Sequence, residues 1–138
     1  MKIECNDEIK LMLEKAKEGR KNAHAPYSMF FVGACLKTSD GEYYTGCNIE
    51  NNGIQAICSE RVAFAKAISD GKRDFESIFV IAAPKDNEYL EETLPCGYCR
   101  QFINEFVNSN FKIYTYDEKN DIYKLYTMNE LLPHSFKF

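Results

Sequence analysis

Two cysteine-bearing segments constrain how this chain can fold. The first, "CSER", covers residues 58–61, and the second, "PCGYCRQ", covers residues 95–101. In each segment the first cysteine stands where a loop ends and a predicted helix begins. The unpaired N–H groups and the partial positive charge of a helix start favour the thiolate form of cysteine. If the thiols bind one ion, the two helix starts must meet in space.

The number and type of these donor groups favour a catalytic zinc site. A catalytic zinc ion keeps three protein ligands and leaves its fourth position for water. A carboxylate two residues after the first cysteine can lie beside that water and move protons without coordinating the ion. The predicted set consists of three thiols and that carboxylate: Cys58, Cys96, Cys99 and Glu60.

Interpretations of the same residues without a catalytic zinc remain open at this point. A C-x-x-C pair alone is typical of a structural zinc half-site or a redox pair. A zinc-stabilised binding module without catalysis predicts a fourth ligand, which could be His24 or His134, the only histidines. Neither cysteine segment contains a fourth thiol or a histidine, which favours an open site. Arg61 and Arg100 each follow a cysteine closely and could offset the thiolate charge.

Composition bounds the class of protein. With 138 residues, of which 45% are apolar, the chain suits one domain over residues 1–138. The net charge of −4 and the lack of a Lys/Arg run disfavour a nucleic-acid partner. The start, "MKIECNDEIKLML", does not resemble a signal segment, and no apolar run reaches membrane-spanning length. We therefore predict a cytoplasmic protein without a membrane partner, whose six cysteines stay reduced.

Patterns of apolar residues predict alternating helices and strands. Helical periodicity and capping residues predict three main helices and a short one in "MNELLP". Apolar, partly β-branched runs between turn residues predict five strands. This order predicts an α/β fold, a three-layer α/β/α sandwich around a five-stranded mixed sheet. The helices are 7–22, 58–70 and 96–107, and the strands are 30–38, 43–50, 75–83, 111–118 and 122–128.

Five motifs, in order, resemble the small homotetrameric cytidine deaminases that bind zinc through three cysteines. "APYSMFFVGACL" is similar to that family's "PYS-x-F-x-VGA", and "DGEYYTGCNIEN" to its "DG…G-x-NIEN". "CSERVA" is similar to "CAERTA", "LPCGYCRQ" to "PCG-x-CRQ", and "NELLPHSF" to "ELLP-x-x-F". A cysteine-x-Glu followed by P-C-x-x-C is a signature of zinc deaminases. The resemblance covers nearly the whole chain, from about residue 7 to Phe136.

Carried over to this sequence, the resemblance implies a complete zinc site. Cys58, Cys96 and Cys99 would hold one zinc ion per subunit, and Glu60 would shuttle protons. Arg61 matches an arginine that bonds the ligand cysteines and offsets their charge.

The resemblance also implies substrate contacts. Asn48 and Glu50 would bind the ribose hydroxyls, Phe30 would flank the base, and the backbone N–H of Ser59 would donate to the pyrimidine carbonyl. Phe136 would close the site of a neighbouring subunit, which implies a homotetramer. An amide that both donates and accepts, beside a carboxylate that accepts, suits hydroxyl recognition.

The implied reaction is hydrolytic deamination of cytidine and 2′-deoxycytidine to the uridines and ammonia, a step of pyrimidine salvage. Two features depart from the family pattern: Ser59 replaces the usual alanine, and the loop "NNGIQAI" is shorter and lacks a tyrosine. Blasticidin S deaminases also have a shorter loop, so a nucleoside antibiotic or a modified cytidine is the alternative substrate. Those deaminases lack "NIEN", and therefore Asn48 and Glu50 favour an ordinary nucleoside.

Overall fold

The computed structural model describes residues 1–138, which form one mixed sheet with helices on both faces. The strand order across the sheet is β1-β6-β5-β4-β2-β3. Strands β4 and β5 pair in parallel, and every other neighbouring pair is antiparallel. The strands are β1 (Lys2–Ile3), β2 (Phe30–Thr38), β3 (Tyr43–Cys47), β4 (Phe75–Pro84), β5 (Lys112–Asp117) and β6 (Ile122–Thr127).

Four helices complete the three layers that the sequence predicts. They are α1 (Asp7–Arg20), α2 (Ser59–Ser69), α3 (Gly97–Asn104) and α4 (Met128–Leu131). Helix α1 buries its apolar stripe against one face of the sheet, in a cluster with Phe79 and Ile81 of β4. Helices α2, α3 and α4 pack on the other face, around Ile78 and Val80 of the same strand. Successive residues of β4 thus supply the two cores, as strand geometry requires.

The predicted number of strands is wrong by one. The sixth strand, β1, pairs only two residues with β6, Lys2 with Lys124 and Ile3 with Tyr123. Two residues are too few to show the alternation by which a strand is recognised in a sequence. The other predicted elements are present, with ends shifted by a few residues, and the α/β/α class is confirmed.

A glycine in β3 brings the start of α2 close to the sheet. A Cβ atom on Gly46 would lie 2.2 Å from the Ser59 carbonyl oxygen and 2.8 Å from the Ala63 nitrogen. Only a residue without a side chain allows this approach. Gly46 therefore determines how closely the segment of Cys58 and Glu60 approaches β3.

No helix in the chain is long and apolar enough to cross a membrane.

Candidate zinc and substrate site

Three cysteine sulfurs converge where the starts of α2 and α3 meet. The Sγ atoms of Cys58, Cys96 and Cys99 all lie within 4.8 Å of one another. The Cys58 and Cys96 sulfurs are 3.9 Å apart. Both predicted segments therefore meet, although the chain passes through β4 between them.

Two of the three sulfurs belong to residues at helix N-cap positions. Cys58 is the N-cap of α2, and Cys96 is the N-cap of α3. The Cys96 sulfur accepts a hydrogen bond of 3.5 Å from the Cys99 N–H, as an N-cap side chain commonly does. Cys99 is buried among the residues of the α2 and α3 core. The two helix starts thus present the thiols to one point with their N–H groups nearby.

The donor set fits a zinc ion. With Zn–S bonds of about 2.3 Å, a tetrahedral ion separates its sulfur ligands by about 3.8 Å, close to the 3.9 Å between Cys58 and Cys96. A hydrogen bond with the Cys99 thiol, helped by Arg61, lowers the pKa of Cys58 to about 5. The same hydrogen bond, together with burial, raises the pKa of Cys99. Such crowding of ionisable thiols is relieved when a divalent cation binds all three.

Only one of the two predicted arginines contacts a thiol. The Arg61 Nη2 group lies 3.7 Å from the Cys58 sulfur and 3.3 Å from the Ala56 carbonyl oxygen. Arg100 instead donates to the carbonyl oxygens of Pro95 and Leu131, at 2.7 and 2.9 Å. The interpretation of Arg100 as a charge for the thiolates is therefore wrong, because its guanidinium joins α3 to α4.

Glu60 is buried beside the sulfurs, with 3% of its surface exposed. Burial raises the pKa of its carboxyl group, which suits a residue that must both accept and release a proton. The hydroxyl of Ser59, which is fully buried, donates to Glu60 Oε1 over 2.5 Å. An alanine at position 59 could not make this bond, so the departure from the family pattern has a structural effect.

A cavity of about 310 Å³ opens in front of the cysteines. Its floor contains Cys58, Cys96 and Glu60, and its walls are largely apolar. Three residues predicted to touch substrate also line it: Phe30, Asn48 and Glu50. The remaining walls come from β2 and the segment just before it, the 51–57 loop and the 85–95 connection: Ser28, Val32, Ala56, Ile57, Thr93 and Leu94.

Hydrogen bonds to the backbone fix both polar wall residues. Asn48 Nδ2 donates to the Phe30 carbonyl oxygen over 2.8 Å, and its Oδ1 accepts from the Val32 N–H over 2.9 Å. Glu50 Oε1 accepts from the N–H groups of Tyr27 and Ser28 at 3.0 and 3.1 Å. Hydrogen bonds with Ser28 lower the pKa of Glu50, so this carboxylate stays charged. Its Oε2 atom remains available for another donor.

Two predicted contacts lie outside the cavity of their own chain. The Ser59 side chain is buried under Glu60, although its N–H, at the first position of α2, has no acceptor within the helix. Phe136 is 64% exposed, and its carbonyl oxygen accepts from Gln101 and Asn104 of α3, each at 3.2 Å. The backbone of Phe136 is therefore held by α3, while its ring is largely exposed and lies 5.1 Å, centroid to centroid, from the ring of Phe138.

Neither histidine belongs to the cysteine cluster. His24 is exposed and joins its backbone to residues 48 and 50. His134 is exposed in the tail after α4. The closed four-ligand site that a binding module predicts is not formed by either side chain.

Tyr98 is a residue that the sequence interpretation missed. Its ring lies against the Arg61 guanidinium, with 4.2 Å from the Arg61 Cζ atom to the ring centroid. Its position inside the C-x-x-C segment was the available signal, because any side chain there must emerge beside the ligands. Leu94 and Thr93 were missed as well, since a polar connection gives no pattern that predicts a cavity wall.

Comparisons with known proteins agree with the site. Residues 6–115 match the family described as "Cytidine and deoxycytidylate deaminase zinc-binding region". A cytidine deaminase of Sporosarcina psychrophila is 42% identical over 130 residues, which cover 94% of this chain and 91% of the relative. A blasticidin-S deaminase of Bacillus cereus is 31% identical over 106 residues, 74% of each chain. A crystal structure of a cytidine deaminase from Burkholderia pseudomallei superposes with a TM-score of 0.82 at 34% identity, covering 92% of this chain and 98% of that one.

The fold and the three-thiol site define a zinc-dependent hydrolytic deaminase. Within that class, the chain belongs to the cytidine deaminase family. The interpretation as a non-catalytic binding module is thereby excluded, and zinc is the cofactor of this family.

Proposed function

We propose that this protein converts cytidine and 2′-deoxycytidine, with water, to uridine and 2′-deoxyuridine and ammonia. The observation that carries the proposal is the single cavity of about 310 Å³. Its lining includes Cys58, Cys96 and Glu60, here called the metal end, and also Asn48 and Glu50, here called the polar end. A base at the metal end and a sugar at the polar end match the two parts of a nucleoside.

The charge of the cavity wall favours a nucleoside over a nucleotide. The charged side chains that line the cavity are the carboxylates of Glu50 and Glu60, and no Lys, Arg or His lines it. A 5′-phosphate bound there would have no cationic partner and would face the Glu50 carboxylate. We therefore propose that the substrate enters without a phosphate.

The polar end supports recognition of ribose hydroxyls. The Oε2 atom of Glu50 can accept from a hydroxyl, because its other oxygen already binds two backbone N–H groups. The Asn48 amide keeps one donor and one acceptor position free after its two bonds to β2. Phe30 supplies an aromatic wall for the base, and the free N–H of Ser59 would donate to the pyrimidine carbonyl.

Proton transfer would fall to Glu60. Zinc, when bound to Cys58, Cys96 and Cys99, supplies a water molecule whose pKa is lowered to near neutrality. Glu60 would accept a proton from the attacking water as the new C4–O bond forms, and would give it to N3. It would then carry the remaining proton of the new C4–OH group to the amino group, so that ammonia could leave as the C4–N bond breaks and the C4 carbonyl forms. The Ser59 hydroxyl orients the carboxylate during both transfers.

Blasticidin S or a modified cytidine is the second candidate substrate. The 31% identity to the blasticidin-S deaminase of Bacillus cereus favours it, together with the short 51–57 loop. Comparing turnover of cytidine with turnover of blasticidin S separates the two. We expect cytidine to be preferred, because Asn48 and Glu50 are both placed in the cavity.

The proposal also covers the domain organisation, the oligomeric state and the cellular location of the protein. We propose one deaminase domain over residues 1–138 and a homotetramer in which Phe136 completes the cavity of a neighbouring subunit. The fixed backbone and exposed ring of Phe136 support this role. A place in pyrimidine salvage and a cytoplasmic location stay predictions.

The central test is Glu60→Gln, assayed for zinc content and for loss of cytidine absorbance. General acid–base catalysis contributes about 10²- to 10⁴-fold, so we expect kcat to fall by at least about 100-fold while zinc is retained. Glu105→Gln, at an exposed position after α3, is the matched control and should behave as wild type. A Glu60→Gln protein with zinc and near-normal turnover would remove Glu60 from the mechanism.

A further inference from the structure

Arg61 and Tyr98 form a contact between the two helices that carry the cysteines. Arg61 lies in the first turn of α2, and Tyr98 lies between Cys96 and Cys99 at the start of α3. The centre of the guanidinium is 4.2 Å from the ring centroid. A cation within about 6 Å of an aromatic centroid is attracted by the electron-rich face of the ring. The ring therefore rests against the cation that neighbours the Cys58 sulfur.

The other contacts of Arg61 hold it only loosely. Its Nη2 group reaches the Ala56 carbonyl oxygen at 3.3 Å and the Cys58 sulfur at 3.7 Å. Its Nε atom is buried and has no hydrogen-bond partner. Arg100, by contrast, makes two bonds of 2.7 and 2.9 Å to carbonyl oxygens. Without a restraint from the side, the Arg61 guanidinium could turn toward water, where its N–H groups would all be satisfied.

Tyr98 contributes little to the core. It is 67% exposed, so its removal should cost little folding free energy. Its contact with Arg61 uses the face of the ring rather than the hydroxyl group. A role in placing the guanidinium can therefore be separated from a role in folding.

We propose that Tyr98 is a positioning residue that holds the Arg61 guanidinium against the Cys58 sulfur and thereby slows the loss of zinc. The inference rests on the proposed ligand set of Cys58, Cys96 and Cys99. Three thiolates and a divalent ion leave the centre with a charge of −1, which a neighbouring guanidinium offsets. A guanidinium that moves away removes its contact with the Cys58 sulfur and leaves the negative centre without a neighbouring cation. Loss of a group that contacts and orients a metal ligand weakens metal binding, so zinc should leave faster.

The experiment measures the rate at which zinc passes from the purified, zinc-loaded protein to an excess of a chromophoric chelator at neutral pH. A cation–π contact at an exposed site is worth about 0.5–1 kcal/mol, which corresponds to about a 2- to 5-fold change in rate. We expect Tyr98→Ala to release zinc about 2- to 5-fold faster than wild type. Tyr98→Phe keeps the ring and should release zinc at a rate close to that of wild type.

Two further variants distinguish the route. Tyr89→Ala removes a partly exposed tyrosine on the 85–95 connection, away from Arg61, and should leave the release rate unchanged. In an Arg61→Gln background, adding Tyr98→Ala should produce no further acceleration, because the cation that the ring restrains is gone.

Three results would overturn the proposal. The first is a release rate of Tyr98→Ala equal to that of wild type, and the second is a Tyr98→Phe protein that releases zinc as fast as Tyr98→Ala. Acceleration by Tyr98→Ala that persists undiminished in the Arg61→Gln background also excludes a route through Arg61. A wild-type protein that binds no zinc would instead overturn the ligand set, and the role of Tyr98 with it.

Discussion

Replacing Gly46 by alanine should damage the zinc site without changing any residue in it. The new Cβ atom would lie 2.2 Å from the Ser59 carbonyl oxygen, whereas ordinary contacts begin at 3.4 Å. The start of α2 must therefore move away from β3 by about 1 Å. Overpacking of this kind costs about 1–3 kcal/mol of folding free energy. The same shift moves Glu60 relative to Cys96, and a misplacement of about 1 Å can cost about 100-fold in rate.

Gly97→Ala is the matched control, because this glycine follows Cys96 directly at the other end of the site. An added Cβ there meets nothing within 4 Å. The substitution should be neutral or stabilise the protein by less than about 1 kcal/mol, since Gly97 is in α3 and alanine is a better helix former.

Urea unfolding, zinc content and cytidine turnover of the two variants test the reasoning together. We expect Gly46→Ala to unfold at lower urea, to hold less than one zinc per chain, and to lose about 10- to 100-fold in kcat/KM. Gly97→Ala should match wild type in all three. A Gly46→Ala protein with normal stability and turnover would refute the argument, because α2 would then not depend on its close approach to β3.

Two other substitutions test the polar end of the cavity and the connection that lines it. Glu50→Gln should raise KM for cytidine about 10- to 100-fold with a smaller effect on kcat, since hydrogen bonds to a charged group contribute about 1.5–3 kcal/mol. The wild-type protein acting on 2′,3′-dideoxycytidine, which lacks the hydroxyl groups, should show a similar rise in KM. A normal KM for cytidine in the variant would contradict the binding of ribose by Glu50. Glu92 accepts from Lys124 at 2.8 Å and from Tyr126 at 2.7 Å, and the bond with Lys124 lowers its pKa from the usual 4.5. A carboxyl group whose pKa is lowered by folding stabilises the folded state at pH values above its unfolded-state pKa. This stabilisation is lost as the pH falls through the folded-state pKa. Glu92→Gln should therefore lower the free energy of unfolding by about 0.5 kcal/mol at pH 7, and should leave it unchanged at a pH below the lowered pKa of Glu92. Urea unfolding at the two pH values tests this, and an equal decrease at both would contradict the ion pair with Lys124.

The zinc end of the site could be predicted from the sequence because local structure places its residues. Cys58 and Cys96 are N-cap residues, and Cys99 and Glu60 follow within one helical turn of a cap. Spacing along one helix start therefore determines most of the geometry. The meeting of the two starts was an expectation drawn from the chemistry of zinc, and the convergence of the three sulfurs agrees with it.

The contacts around the zinc end could not be predicted, because they join residues distant in sequence. Arg61 and Arg100 occupy equivalent places after a cysteine, yet only Arg61 contacts a thiol. The difference arises from the neighbours of each guanidinium group. Arg100 donates hydrogen bonds to the carbonyl oxygens of Pro95 and Leu131, whereas Arg61 lies against the ring of Tyr98. Neither environment is visible in the spacing of charges along the chain.

The predicted C-terminal boundary of β3 is wrong, and the reason shows how the polar end of the cavity is formed. The sequence predicts a strand over 43–50, whereas the strand ends at Cys47. At the next position the Asn48 N–H still donates to the Val32 carbonyl oxygen over 3.3 Å, and the Asn48 side chain bonds the N–H of Val32 and the carbonyl oxygen of Phe30. Because an amide offers the same donor and acceptor as a peptide group, β2 stays satisfied while the chain turns away. The main chain then bonds residue 24 and brings Glu50 to the N–H groups of Tyr27 and Ser28. Asn48 therefore has a structural role as well as the proposed contact with ribose. A substitution of Asn48 should disturb both the end of β3 and substrate binding.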